Sequence, residues 1–183
     1  MRSTLELPAE CDSVLLGADE LSARVAEMGA ALTREHAGHE LRLVTVLRGG
    51  VFFLADLCRA IDLPLTLDFL AVAPYRPGQG GAVRVTKDLD DNIEGAHVVL
   101  VEDVIDTGLT VNYVRSFLLG HDPASLQVVT LFDKPARRIA DIPIDLRGFE
   151  LSDRFLVGYG LDLRGRYRNL PYVATLREEA VFG

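Results

Sequence analysis

The sequence predicts an α/β fold: a mostly parallel central sheet flanked by helices. Apolar runs of strand length alternate with segments of helical spacing. Polar residues stand where three of those runs end, at "LRGG", "VEDVIDTG" and "LFDK". In such a sheet ligands sit beyond the carboxyl ends of the strands. A chain of 183 residues that is 49% apolar suits one domain with a real core, here residues 1–183.

The elements follow in order. Asp19–Gly38 carries Leu21, Val25, Met28 and Leu32 at helical spacing, and Gly38 is a natural stop. "LRLVTVL" (41–47) reads as a buried strand and "GGVFFLADLCRAI" (49–61) as a helix closed by "DLP". "LTLDFLAVA" (65–73) is the next strand. "PYRPGQGGAV" (74–83), with two prolines and three glycines, reads as a long loop. "AHVVLVEDV" (96–104) is a strand whose Val98–Val101 lies in the sheet, with Glu102–Asp106 leaving at the rim. "GLTVNYVRSFLLG" (108–120) is a helix with Val111, Val114, Phe117 and Leu118 on one face, and "SLQVVTLFDK" (125–134) is a strand. Short segments separated by turns follow: "IDLRGFEL", "RFLVGYGLD" and "YVATLR".

Composition excludes some functions. A net charge of −8 carries no general nucleic-acid footprint. No apolar run has the length of a membrane span, and "MRSTLELPAECD" lacks the apolar core of a signal sequence. Two cysteines without metal spacing, Cys11 and a Cys58 expected to be a buried small hydrophobe, fit a reducing cytoplasm.

The chemistry concentrates in "VVLVEDVIDTGLTV" (98–111). Carboxylates are seldom placed at the end of a core strand unless something engages them. Asp106-Thr107-Gly108-Leu109-Thr110 is a tight turn into a helix. It aims backbone N–H groups and the positive helix end at one point, with Gly108 permitting close approach. That is a phosphate cradle. Glu102 and Asp103, just upstream, suit a ribose diol or the neighbourhood of a divalent cation. The plainer alternative is an acidic loop in which Asp106 caps the helix.

With "LRGG", "KDLD", "LFDKPARR", "GFELSDRFLVGYGLD" and "YRNLPY" in this order, the chain resembles the hypoxanthine-guanine branch of the type I phosphoribosyltransferases from about Leu41 to Leu176. The resemblance implies that family's fold, with a small hood from roughly 1–17 and 145–183. It implies transfer of ribose 5-phosphate from phosphoribosyl pyrophosphate (PRPP) to a 6-oxopurine base, with Mg²⁺ and a homodimeric or homotetrameric assembly.

It also implies roles for single residues. Glu102, Asp103, Asp106, Thr107, Gly108, Leu109 and Thr110 would hold PRPP, with Asp106 taking the purine proton. Arg48, Gly49 and Arg168 would meet pyrophosphate, with a cis peptide between Leu47 and Arg48. Lys134 would bond the 6-oxo group, Phe155 would stack on the base, and Leu156 would meet its edge through the backbone. Asp162, with Glu102 and Asp103, would stand near Mg²⁺. Pro74 and Tyr75 would belong to a closing lid. Two positions depart from the pattern: Pro74 stands where a serine is usual and brings no N–H donor, and Leu163 stands where an aromatic is common.

Two other classes share parts of the pattern. A non-catalytic PRPP or nucleotide sensor would need an added basic surface, and the only basic clusters, "RRIADIPIDLR" and "RGRYR", are small. A phospho-receiver domain would leave the "DTGLT" cradle without a role.

Overall fold

The computed structural model describes residues 6–73 and 83–182. Its elements are β1 (Cys11–Leu16), α1 (Ala18–Glu35), β2 (Leu41–Val46), α2 (Gly50–Ala60), β3 (Leu65–Ala73), β4 (Arg84–Lys87), β5 (His97–Ile105), α3 (Leu109–Leu119), β6 (Ser125–Asp133), β7 (Leu146–Glu150), β8 (Leu156–Val157), β9 (Val173–Leu176) and α4 (Glu178–Phe182). The strands of the larger sheet run in the order β4-β3-β2-β5-β6-β7, and a smaller sheet runs β1-β9-β8. From β3 to β7 every neighbouring pair in the larger sheet is parallel; β4 joins β3 antiparallel.

The parallel core follows from the side chains of β5. Strand side chains alternate between faces. Val99 and Val101 enter a core with Leu21, Val25, Met28 and Leu32 of α1 and Phe53, Leu54 and Leu57 of α2. Val98 and Leu100 enter a second core with Val111, Val114 and Leu118 of α3. Both faces are covered, so the strand must be apolar throughout rather than alternating. Parallel pairing brings the carboxyl ends of β2, β5 and β6 to one edge, and the functional motifs with them.

The smaller sheet is antiparallel and packs over that edge. Leu156, Leu161 and Val173 insert into the α1–α2 core. The Tyr159 hydroxyl donates to Asp56 Oδ2 on α2 at 2.6 Å. A Cβ on Gly160 would lie 2.5 Å from the Gly49 carbonyl, so glycine, here at φ 96°, is what lets the two loops touch.

Several expectations shift. Two short strands, β1 and β4, escaped the pattern. Leu146–Glu150, within the range expected for the hood, pairs with β6 in the larger sheet. Phe117 is only partly buried beside the α3 core. Cys58 is half-buried while Cys11 is fully buried, and neither is in a disulfide. Pro74 and Tyr75 lie outside the described residues.

Candidate active site

β5 runs to Ile105 and its pairing with β6 continues through Glu102 to that end, so Glu102 and Asp103 are strand residues rather than rim residues. Glu102 sits opposite Thr130 of β6 and is 6% exposed, and its Oε1 is buried without a hydrogen-bond partner. Burial, and then the neighbouring Asp103 charge, push the Glu102 carboxyl well above its ordinary value of 4.5. Burial also raises Asp103, against the pull of the Val104 N–H, which donates to its Oδ1 at 2.8 Å, and of the Arg168 guanidinium.

A raised carboxyl pKa has a stability consequence with a definite sign. Between the unfolded and folded values of Glu102 the folded chain holds a proton that the unfolded chain has lost. The stabilisation is full below the unfolded value and is lost as pH rises through the folded one. The melting temperature of the ligand-free protein is therefore expected to fall more steeply, as pH rises above the ordinary carboxylate range, than that of Glu102→Gln. Parallel melting curves for the two proteins would show that the buried carboxyl is not the cause.

After Ile105 the chain turns. Gly108 has φ 80° and stands at the start of α3, which has no side-chain cap, so Asp106 does not cap that helix. The Leu109 N–H instead reaches Thr107 Oγ1 at 3.4 Å. The Thr107 carbonyl accepts from Ile139 and Ala140 N–H, and Arg138 Nε donates to the Asp106 carbonyl at 3.1 Å. Arg138 also pairs with Asp133, which in turn receives Arg147 Nε at 2.9 Å. The turn is thus fastened from the segment after β6. Thr110 is in the first turn of α3.

A cavity of about 280 Å³ opens beside this turn. Asp103, Asp106, Lys134, Phe155, Leu156, Asp162 and Arg168 all line it. Lys134 is 7% exposed and its Nζ donates to the Arg154 carbonyl at 2.6 Å. Burial lowers the Lys134 pKa, and the negative charge of Asp106 pulls the other way. Phe155 is 46% exposed, which leaves an aromatic ring at the cavity mouth, while Leu156 is buried. Arg168 joins Asp162 (Nη2 to Oδ1, 2.5 Å) and the Gly160 carbonyl (2.5 Å). A larger, shallow cleft of about 850 Å³ shares Phe155 with this cavity but is lined by none of the β5 carboxylates.

Arg48 and Gly49 approach from the β2–α2 connection. Arg48 is exposed, and the Leu47–Arg48 peptide is cis, as the resemblance implies. A Cβ on Gly49 would lie 1.8 Å from Asp103 Oδ2, so the carboxylate rests directly on that glycine.

Residues 17–164 match the family model described as Phosphoribosyl transferase domain. The chain belongs to the phosphoribosyltransferase family. It is 44% identical over 167 residues to the hypoxanthine phosphoribosyltransferase of Salmonella typhimurium, covering 89% of this chain and 94% of that protein. It is 42% identical over 175 residues to the hypoxanthine-guanine phosphoribosyltransferase of Streptococcus agalactiae, covering 94% and 97%. A hypoxanthine phosphoribosyltransferase from Staphylococcus aureus superposes with a TM-score of 0.91 at 40% identity, covering 95% of each chain. These relatives place this phosphoribosyltransferase in the hypoxanthine-guanine branch.

Within it, seven of the residues singled out from the sequence share one cavity. Glu102, Thr107–Thr110, Arg48 and Gly49 do not line it; Gly49 reaches it only through its contact with Asp103. Sequence reasoning missed Val104, Leu161 and Arg137, which also line it. Arg137 alone carried a signal, as one of two adjacent arginines in "DKPARR". For this phosphoribosyltransferase Gly49→Ala is expected to displace Asp103 and cut kcat/KM about tenfold, with circular dichroism unchanged. Wild-type kinetics in that variant would mean that the contact between Gly49 and Asp103 does not matter to the site.

Proposed function

We infer that this chain salvages purines by transferring ribose 5-phosphate from PRPP to hypoxanthine or guanine and releasing pyrophosphate. The observation that carries this reading is the convergence of Asp106 and Lys134 on one cavity whose mouth holds the Phe155 ring, beside a glycine turn opening a helix. A carboxylate for a ring proton, a cation for a carbonyl oxygen and a ring face for stacking are what a 6-oxopurine needs.

The chain's own residues divide the work. The turn Asp106–Thr110 holds the 5-phosphate through backbone N–H groups and the threonine hydroxyls. Asp103, which lines the cavity, and Glu102 beside it in β5 are the carboxylates offered to the ribose diol. Arg48, Gly49 and Arg168 take the pyrophosphate. The purine nitrogen forms its bond to C1′ as the C1′–O bond breaks, the electron pair leaving with pyrophosphate. Asp106 accepts the N7 proton. Leu156 meets the base edge through its backbone, and Pro74 and Tyr75 belong to the lid, in a segment outside the described residues.

Mg²⁺ fits this donor set in one manner only. Among the described residues no three carboxylate, histidine or cysteine side chains converge as a cage. Asp103 and Asp162 nonetheless line the same cavity, and Mg²⁺ characteristically uses one or two carboxylates together with substrate oxygens and water. When bound, it would neutralise charge on the leaving pyrophosphate. Asp162 is presented to that side by its pairing with Arg168.

We place the enzyme in a reducing cytoplasm, as a homodimer or homotetramer that binds neither nucleic acid nor membrane. Both cysteines are free, and no helix among the described residues is long and apolar enough to cross a membrane. Sedimentation velocity would report the assembly.

The activity is tested by following PRPP, Mg²⁺ and hypoxanthine with the protein by phosphorus NMR. One nucleoside monophosphate and one pyrophosphate are expected per base consumed. Pyrophosphate with free ribose 5-phosphate and no nucleotide would refute the transfer.

A further inference from the structure

Arg137 has no part in the reading above, yet it lines the same cavity as Asp106 and Lys134. It ends the 3₁₀ turn Pro135–Arg137 directly after β6, a turn set by Pro135 and by the Arg137 N–H bonded to the Lys134 carbonyl at 3.1 Å. Its Nε lies 3.1 Å from Asp106 Oδ1, and its Nη1 lies 3.5 Å from Asp153 Oδ1. Asp106 follows β5, whereas Asp153 lies between β7 and β8, two residues before Phe155. One side chain therefore spans the gap between the proton acceptor and the segment that carries the aromatic ring.

The two oxygens of Asp106 are not equivalent. Oδ1 is fully shielded, while the side chain as a whole keeps 39% exposure. Arg137 Nε is close enough to Oδ1 for an ion pair but is not aligned as a hydrogen bond. The exposure belongs to the rest of the side chain. A terminal carboxylate torsion is soft and two-fold, so an unheld Asp106 would present either oxygen. A guanidinium, planar and with donors pointing in fixed directions, can hold two carboxylates at once where an ammonium cannot do so with the same geometry.

We propose that Arg137 is a positioning residue: it pins Oδ1 of Asp106 so that Oδ2 faces the purine proton, and it ties that carboxylate to the Phe155 segment through Asp153. The assignment rests on Asp106 acting as the base. Arg137 side-chain exposure of 37% makes a polar substitution compatible with folding.

The test is a double-mutant cycle read in steady-state kinetics. Arg137→Gln is expected to lower kcat roughly tenfold, with KM for PRPP unchanged. Arg137→Lys, which keeps the charge but not the planar reach, recovers part of the loss. In an Asp106→Asn background, adding Arg137→Gln has no further effect. Full activity in Arg137→Gln, or an equal loss in both backgrounds, would overturn the proposal and leave the role of Asp106 standing. Wild-type turnover in Asp106→Asn alone would remove the base assignment and the proposal with it, a result distinct from either of those.

Discussion

Asp106→Asn is expected to lower kcat by about 10²–10⁴-fold, the usual contribution of a positioned general base, while the Kd for PRPP stays the same. Asparagine keeps the size of the side chain and the backbone of the turn. The Asp106 carbonyl can still accept from Arg138, and Gly108 can still open α3. What is lost is an acceptor for the N7 proton. The effect should therefore appear in turnover and not in PRPP binding, which calorimetry measures separately. Undiminished turnover would mean that the proton leaves by another route and that Asp106 is only a turn residue.

The second large effect is on the base. Lys134 is nearly buried at the end of β6, with its ammonium already given to the Arg154 carbonyl. An ammonium has three donors, so it can serve that carbonyl and a purine 6-oxo oxygen together. Removing a charge-assisted hydrogen bond of roughly 1.5–3 kcal/mol corresponds to about a 10–10²-fold loss. Lys134→Ala is accordingly expected to lower kcat/KM for hypoxanthine and guanine by that factor and to narrow the margin against adenine, whose 6-amino group cannot accept the bond. KM for PRPP should not move. If purine kinetics in Lys134→Ala match the wild type, the 6-oxo contact belongs to another group.

Much of this arrangement was legible in the order of residues. β2, β3, β5 and β6 are apolar because both faces of the sheet are covered, and a continuous apolar run is a signal that survives in one sequence. The short edges are different. β1 is buried only at its two ends, and β4 is four partly exposed residues, so neither carries a period. Their pairing with β9 and β3 is a tertiary fact. The same division holds in the site. The carboxylates of "VEDVID" announced themselves by standing at the end of a core strand. The burial of Glu102 did not, because it depends on how far the pairing with β6 continues past Val101. Lys134 and Asp162 were read by resemblance, and their company in one cavity comes from the hood folding over the strand ends. Arg137 was visible only as a surface-type residue in a motif. Its bridge from Asp106 to Asp153 joins positions 47 residues apart in sequence, which spacing alone does not disclose.

On the proposed function, the cavity between Lys134, Phe155 and Asp106 takes a 6-oxopurine and joins it to the ribose 5-phosphate of PRPP. Initial rates with PRPP and Mg²⁺ against hypoxanthine, guanine, xanthine, adenine and uracil test it most directly. Turnover is expected with hypoxanthine, guanine or both, and none of comparable kcat/KM with adenine or uracil. Turnover confined to adenine or uracil would contradict it.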